Sequence, residues 1–450
     1  MAVIKCCAIG IAAFWAMSAG EALELRERSR VGDTSRVVVL LKAEGLYRPG
    51  LSPGGKVGDT PKPLALKVET RLDFVERVVK VDDRGRPARA VRQVLQAASA
   101  INGEVRPMAA VLRPEVALLV AEPLPGGVTV ASPGGPLTRS ELELVQGPGD
   151  PFELDGLLPS GPVAVGARWK VSDATARALC DYDTLTASTL EATLATADDT
   201  SAVVRLRGEV RGSVLGGEGT IAGSGSYTFD RKAARVSKLV LERAEVRGAG
   251  PVEAGLDVKS TLTVTREVVA PPAALADDAL ARLNLDRPDP TRTLLRLAPP
   301  GGRYSLRHDR DWHTYWDDTR LTVLKRVERG EAVAQCNLRV GPSAGKGRHQ
   351  DLDQFRDDIR RGLGTRFVQF LGAGEVAGDP AGHFRYKVGV QGRQGDVGVV
   401  WYYYLLASPE GDQMVATFTL ADTQAKAFGA EDERLIGSFR WEPAAAAAPR

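Results

Sequence analysis

The first residue pattern able to do chemistry is a serine set between glycines. Gly341-Pro342-Ser343-Ala344-Gly345 matches G-x-S-x-G. That motif needs a strand, a sharp turn at the serine and a helix starting at once, so that Oγ stands exposed beside backbone N–H donors. A strand precedes it here, but Gly345-Lys346-Gly347-Arg348 prolongs the loop and Pro342 removes one N–H. The segment therefore reads as a loop between strand and helix, with a Ser343 hydrolase kept as an alternative. The same loop falls short of a phosphate cradle. Around Gly345-Lys346 the motif needs glycine at 340 and serine or threonine at 347, where the chain has Val340 and Gly347. Gly372-Ala373-Gly374-Glu375-Val376-Ala377 matches G-x-G-x-x-A, but Gly378, Pro380 and Gly382 follow where a dinucleotide site requires a helix.

Metal-ligand residue types are densest at His308, Asp309, Asp311, His313, Asp317 and Asp318. His308, Asp311 and His313 could hold a divalent ion if the loop folded back on itself. The competing reading is a solvated strand end around Trp312 and Trp316. Trp401-Tyr402-Tyr403-Tyr404 is a candidate partner surface; strand alternation sends Trp401 and Tyr403 one way and Tyr402 and Tyr404 the other. Two buried free thiols are expected at Cys180 and Cys336. No cofactor and no resident metal is expected, and no catalytic residue is assigned.

The elements that must position these groups belong to a chain of 450 residues, long enough for two or three domains. Its 43% apolar and 26% charged residues are those of a folded chain. Lys plus Arg number 59 against 57 Asp plus Glu, a net charge of +2, which leaves no global pull toward nucleic acid or anionic lipid. Residues 1–22 read as a signal peptide. Lys5 precedes an apolar run from Cys6 to Ala19, shorter than the ~20 residues of a bilayer span, and small residues follow. The expected location is secreted or periplasmic, with membrane contact only through an uncleaved signal.

Residues 23–268 read as an antiparallel β-rich domain. Val37–Leu41, Leu64–Val81, Val203–Val210, Val236–Glu242 and Leu256–Val264 show strand character, separated by glycine breaks such as Gly216-Gly217 and Gly248–Gly250. Arg89–Ala100 reads as a helix on Val91, Val94, Leu95 and Ala98, or else as an irregular strand. LLPSGPVAVGARW (157–169) and GSYTFDRKAARVSKLVLERAEVRG (225–248) resemble stretches of uncharacterised secreted bacterial β-rich proteins. This points to a curled antiparallel sheet or half-barrel, which in LolA-type carriers holds apolar ligands. Residues 269–302 read as a proline-rich linker with a short helix over Pro272–Leu285.

Residues 303–441 read as an α+β sandwich with an antiparallel sheet, ahead of a low-complexity tail at 442–450. Strands are predicted at Arg303–Arg307, Leu321–Val327, Ala332–Val340, Phe367–Ala373, Gly382–Val390, Gly395–Leu406 and Asp412–Thr419. Helices are predicted at Gln350–Leu363, capped by Asp351, and at Asp422–Ile436. YSLRHDRDW (304–312), VAGDPAGHFRY (376–386), WYYYLL (401–406), VATFTL (415–420) and SFRW (438–441) occur in that order. In this the segment resembles the PsbP-like fold of extrinsic photosystem proteins and a Ran-binding protein. It departs in carrying Arg310-Asp311 where that family often has Pro-Gly. The resemblance implies a binding or assembly module. The expectation is an exported, non-catalytic envelope protein whose partner is another envelope protein or an apolar ligand, the alternative being a carrier with its ligand in the N-terminal sheet.

Overall fold

The computed structural model describes residues 22–49, 62–102, 107–124, 126–283, 285, 290–299, 303–376 and 383–442. The expected signal segment, the tail beyond Glu442, and parts of the linker and of the 376–386 hairpin lie outside the described residues.

In chain order the first thirteen strands are β1 (Thr34–Arg48), β2 (Leu64–Val81), β3 (Pro87–Asn102), β4 (Pro107–Val111), β5 (Leu118–Leu124), β6 (Gly127–Ala131), β7 (Arg168–Lys170), β8 (Thr184–Ser188), β9 (Glu191–Ala197), β10 (Ser201–Val214), β11 (Gly217–Asp230), β12 (Arg235–Arg247) and β13 (Gly255–Val268). They make one antiparallel sheet in the order β6-β5-β3-β2-β1-β13-β12-β11-β10-β9-β7, with β4 on β3 and β8 on β10. The sheet is open: β6 and β7 are its two ends, so it does not close into a barrel. The first and last long strands of this sheet meet in its middle, pairing Val39 with Val264 and Leu41 with Leu262.

One face of this sheet is apolar at every second residue, as a half-buried strand requires. Val37, Phe74, Val94, Leu239, Leu241, Leu262 and Val264 all point into a single core. The curl is filled by helix α1 (Arg139–Val145), a 3-10 segment at Pro151–Leu157 and helix α2 (Asp173–Leu179), which contribute Leu142, Leu144, Val145, Leu154, Leu157, Ala176 and Leu179. Burying such aliphatic side chains contributes roughly 1.5–3 kcal/mol each.

Arg89–Ala100 is strand, not helix. The strand carries a β-bulge: Phe74 pairs with Val94 and Asp73 with Gln96, so Leu95 is the extra residue and is exposed. A bulge turns the spacing of two inward residues from two to three. Val94 and Ala97 face the core, whereas Val91 packs on the opposite face and Leu95 is exposed, so the residues that read as a helical stripe share no face. The linker helix is also shorter than expected. Helix α3 covers only Asp277–Ala281, and Leu275 ahead of it is fully buried against Val75 and Val91 on the sheet's other face. Arg77 holds this segment through Leu275 O at 2.6 Å.

Ten more strands follow: β14 (Leu295–Leu297), β15 (Tyr304–His308), β16 (Trp312–Asp317), β17 (Leu321–Glu328), β18 (Glu331–Val340), β19 (Phe367–Glu375), β20 (Phe384–Gln394), β21 (Val397–Ala407), β22 (Gln413–Ala421) and β23 (Arg440–Trp441). β16-β17-β18-β22-β21-β20-β19 is an antiparallel seven-stranded sheet; β14-β15-β23 is a three-stranded ribbon. Helix α4 (Leu352–Leu363) covers one face of the larger sheet with Phe355, Ile359 and Leu363. Asp351 Oδ1 caps it by accepting the N–H of Gln354 at 2.9 Å. The opposite face is covered by Phe428 of α5 (Ala425–Phe428) and by Leu435 and Ile436 of α6 (Glu431–Gly437). The expected single helix over Asp422–Ile436 is thus broken, at Gly429 with φ 57°. The strand expected at Arg303–Arg307 is β15; Asp309–Asp311 then turn the chain, and Trp312 begins β16 in the larger sheet.

Candidate functional site

The residues singled out by type are mostly committed to structure. Ser343 Oγ donates to Gly411 O at 3.1 Å and accepts from Gly345 N at 3.2 Å, so it pins its loop to the β21–β22 turn. His308 is buried, its Nδ1 is 2.8 Å from Asp309 O, and burial pushes its pKa down to about 4. Burial, with the Arg139 charge, does the same to His313. Asp311 is raised by burial, against the pull of Arg326. Asp317 accepts Thr322 Oγ1 at 2.6 Å, and Asp318 accepts from Trp316 Nε1 and from the N–H groups of Arg320 and Leu321. Among the described residues no three His, Cys, Asp or Glu side chains gather as a metal-ligand set. Cys180 and Cys336 are free, buried thiols.

The aromatic run is divided by the sheet. Trp401 and Tyr403 belong to the α4 side, Tyr402 and Tyr404 to the side of α5 and α6. Trp401 and Tyr404 are buried, and Tyr402 and Tyr403 half-buried. Tyr404 donates to Asp432 Oδ2 at 2.7 Å, and Lys387 reaches the same oxygen at 2.7 Å while lying over the Tyr402 ring. Three of the four rings therefore serve the packing and a charged network within the fold.

A different place offers unspent chemistry: the inner face of the curled sheet around α1 and α2. Thr138 and Glu141 form a reciprocal capping box at the start of α1. The loop after α1 presses onto β13 at Gly149, whose φ is 87° and where a Cβ would lie 2.6 Å from Val264 Cγ2, so only glycine fits. Asp150 then accepts Arg92 Nη1 and Nη2 at 2.7 and 2.8 Å, and Arg92 Nε donates to Glu76 at 3.0 Å. Arg92 is 2% exposed, so this triad is a buried clamp between β3 and the loop.

Between that loop and β1, β2 and β13 a hollow of about 180 Å³ remains. It is lined by Val39, Leu41, Leu72, Phe74, Leu144, Val145 and Leu262 together with the polar Thr70, Glu143, Gln146, Asp150 and Asp181. Glu143 is exposed to solvent, though neighbouring groups crowd its base. Burial pushes it up to about 7; Arg139 opposes the shift, and Glu253 and Asp181 add to it. Asp181 is raised by burial, with Arg243 opposing and Asp183 adding. Glu153, in the neighbouring cleft of about 480 Å³, is also pushed up to about 7, by burial and then by Asp150. A further concavity, about 570 Å³, is an open groove with Lys42, Glu44, Lys67, Glu69, Glu242 and Lys259; its Lys42–Glu69 pair at 2.9 Å is exposed and contributes little. Residue-type reasoning missed Glu143 and Asp181; the Thr138-x-x-Glu141 signature ahead of Leu142 was the available sign of α1.

No family model matches the chain, and no curated protein matches it. Among solved structures, a protein from Bacteroides thetaiotaomicron VPI-5482 is 11% identical over 33% of this chain, with a TM-score of 0.24. The chain spans about half of that protein, 48% of its length. Cyanobacterial PsbP (CyanoP) from Synechocystis sp. PCC 6803 is 14% identical, with a TM-score of 0.26, over 33% of this chain and 93% of its own. Lipovitellin is 8% identical, with a TM-score of 0.31, over 54% of this chain and 26% of its own. These likenesses are distant, and they assign the chain to no family.

Proposed function

We propose that this chain is an exported, non-catalytic binding or assembly protein of the cell envelope. The observation that supports it most is the architecture itself: two open antiparallel sheets that carry exposed strands, grooves and a partly filled inner face. Several of the side chains singled out by type are engaged in the fold. Ser343 bonds only backbone atoms, both described cysteines are buried, and His308 and His313 are held neutral at ordinary pH. The PsbP-like reading of residues 303–441, a module that works by contact, belongs to the same proposal.

A second reading, a carrier of an apolar ligand, is favoured by the hollow beneath α1. Its size bounds the cargo. About 180 Å³ is smaller than the 300–1,000 Å³ typical of drug-sized ligand pockets. A long lipid chain does not fit this hollow; a compact molecule does.

The test is native mass spectrometry of the full chain isolated under non-denaturing conditions from its own cell envelope. A polypeptide or small molecule retained at fixed stoichiometry is the expected result. A bare chain that turns over an ester or amide substrate, with turnover abolished by Ser343→Ala, would overturn the proposal.

A further inference from the structure

The geometry points to the outer edge of β19 as a pairing site for the same strand of a second copy of this chain. This goes beyond the reading above, since it concerns the contact of the chain with itself, whatever else it binds.

A terminal strand leaves a row of backbone N–H and C=O groups unpaired. Folds ordinarily guard such a row with short strands, cations, proline or a cover. Three of the four ends of the two large sheets are guarded here. At β6 the carbonyl of Val130 accepts Arg310, and that of Gly126, just ahead of the strand, accepts Arg177. β7 is three residues long, with Arg168 and Lys170 exposed on it. At β16 the carbonyl of Trp312 accepts Arg139. β19 is the fourth end and, at nine residues, the longest. Its sequence, FVQFLGAGE, holds no lysine, arginine or proline. Among the described residues, no backbone hydrogen bond beyond its ladder with β20 reaches it.

Bulges also guard an edge by twisting it away, and β19 has two. Their extra residues are Val368 and Leu371, which are skipped in the pairing with β20. Both are apolar and are 54% and 51% exposed, at positions where a guarded edge carries charge. One face of the strand is closed: Phe367 and Phe370 pack toward α4, with Arg360 over both rings. The other face is low. Gly372 pairs with Gly389, and a Cβ on Gly389 would lie 3.3 Å from Leu371 Cβ and 3.7 Å from the Tyr402 ring. An incoming strand meets open backbone flanked by apolar side chains.

Charge selects the occupant. Arg366, just ahead of β19, and Glu375, its last residue, are both exposed. An antiparallel pairing centred between Phe370 and Leu371 sets Arg366 of each copy opposite Glu375 of the partner subunit, so the edge complements itself at both ends. Opposite charges facing across strands favour pairing and like charges oppose it. A two-fold arrangement satisfies both edges at once and leaves neither open.

Sedimentation equilibrium of the full chain over a wide range of concentration tests this. A monomer–dimer equilibrium is expected, and hydrogen–deuterium exchange should slow over Phe367–Glu375 as concentration rises. Leu371→Lys, checked for folding by circular dichroism, should weaken dimerisation roughly tenfold or more. Val246→Lys, at a position 58% exposed on the other sheet, should leave it unchanged. Glu375→Arg should weaken it as Leu371→Lys does, and adding Arg366→Glu should restore it, because the exchanged charges again meet their opposites. A chain that stays monomeric at every concentration overturns the inference and assigns the edge to a strand of another protein. A dimer that Leu371→Lys leaves intact, or that the double charge exchange fails to restore, overturns it as well.

Discussion

Arg92 shows how charge is used inside this molecule. Its guanidinium is buried between Asp150 and Glu76 and lies over the rings of Phe74 and Phe152. Breaking a buried pair by removing one partner leaves uncompensated charge and costs about 3–5 kcal/mol. Arg92→Leu should therefore lower unfolding free energy by about that much in urea titrations, because two carboxylates lose their cation at once. A loss near zero would mean that the clamp is hydrated. Glu143 and Glu153 illustrate the opposite case, acids without a partner. Burial lifts both to about 7, above the ~4.3 of a glutamate in an unfolded chain. The folded state then holds their protons more tightly than the unfolded one. Their contribution is whole below about 4.3 and is lost as pH rises through about 7. His308 and His313, pushed down to about 4 from the usual ~6.5, act with the other sign: stability falls as pH drops from about 6.5 toward 4. The double variant Glu143→Gln with Glu153→Gln should be more stable than the parent at pH 8 and equal to it near pH 4. Equal gains at both pH values would rule out titration as the cause.

Elements differ in how openly the sequence announces them, and the reasons are physical. β2 occupies Leu64–Val81, as its alternating pattern predicts, because period-two burial on one sheet face leaves a direct trace. Helix α4 was equally legible: Asp351 is a good cap, and Phe355, Ile359 and Leu363 repeat at four residues. β3 was not, since one inserted residue at Leu95 changes the period. Helices α1 and α2 are two turns each, too short for periodicity to rise above their neighbours. The hollow itself was illegible, because it is built by pairing Leu41 with Leu262 and by bringing Glu143 and Asp181 to one cavity, contacts that only the assembled sheet order creates. Two measurements follow at this scale. Asp351→Ala should cost α4 about 1 kcal/mol in global stability, the usual loss of a cap. Deleting Leu95 should be tolerated, because Val94, Gln96 and Ala97 then alternate inward and outward without a bulge. Deleting Gln93 should instead cost on the order of 3 kcal/mol or more, since it turns either Arg92 or Val94 to the wrong face. If both deletions prove equally damaging, the bulge is itself required.

At the scale of the whole molecule, the two sheets are joined by residues that their separate folds do not need. Arg310, in the turn ahead of β16, finds its partners outside its own sheet. Its guanidinium donates to Val130 O at 2.6 Å, to Thr293 O at 3.1 Å and to Gln146 Oε1 at 3.2 Å. Arg139, on α1, reaches back to the carbonyls of Arg310 and Trp312. Arg296 N donates to Leu137 O at 2.8 Å, and Lys325 Nζ to Pro251 O at 2.9 Å. The turns at Gly216 and Gly330 touch so closely that a Cβ on Gly216 would lie 2.0 Å from Gly330 O. These contacts are mostly polar and meet backbone carbonyls, so they fix orientation more than they add apolar burial. Each half retains its own core, one around the curled sheet and others around the seven-stranded sheet. Cooperativity between the halves should then depend on the arginines. The parent chain should melt in one calorimetric transition, while Arg139→Ala with Arg310→Ala should separate it into two, each half keeping its strand circular dichroism between them. A parent that already melts in two steps would mean that the contacts do not couple the sheets. A double variant that still melts in one would place the coupling in the Gly216–Gly330 approach and the Lys325 bond instead, and Gly216→Val would then be the substitution that separates the halves.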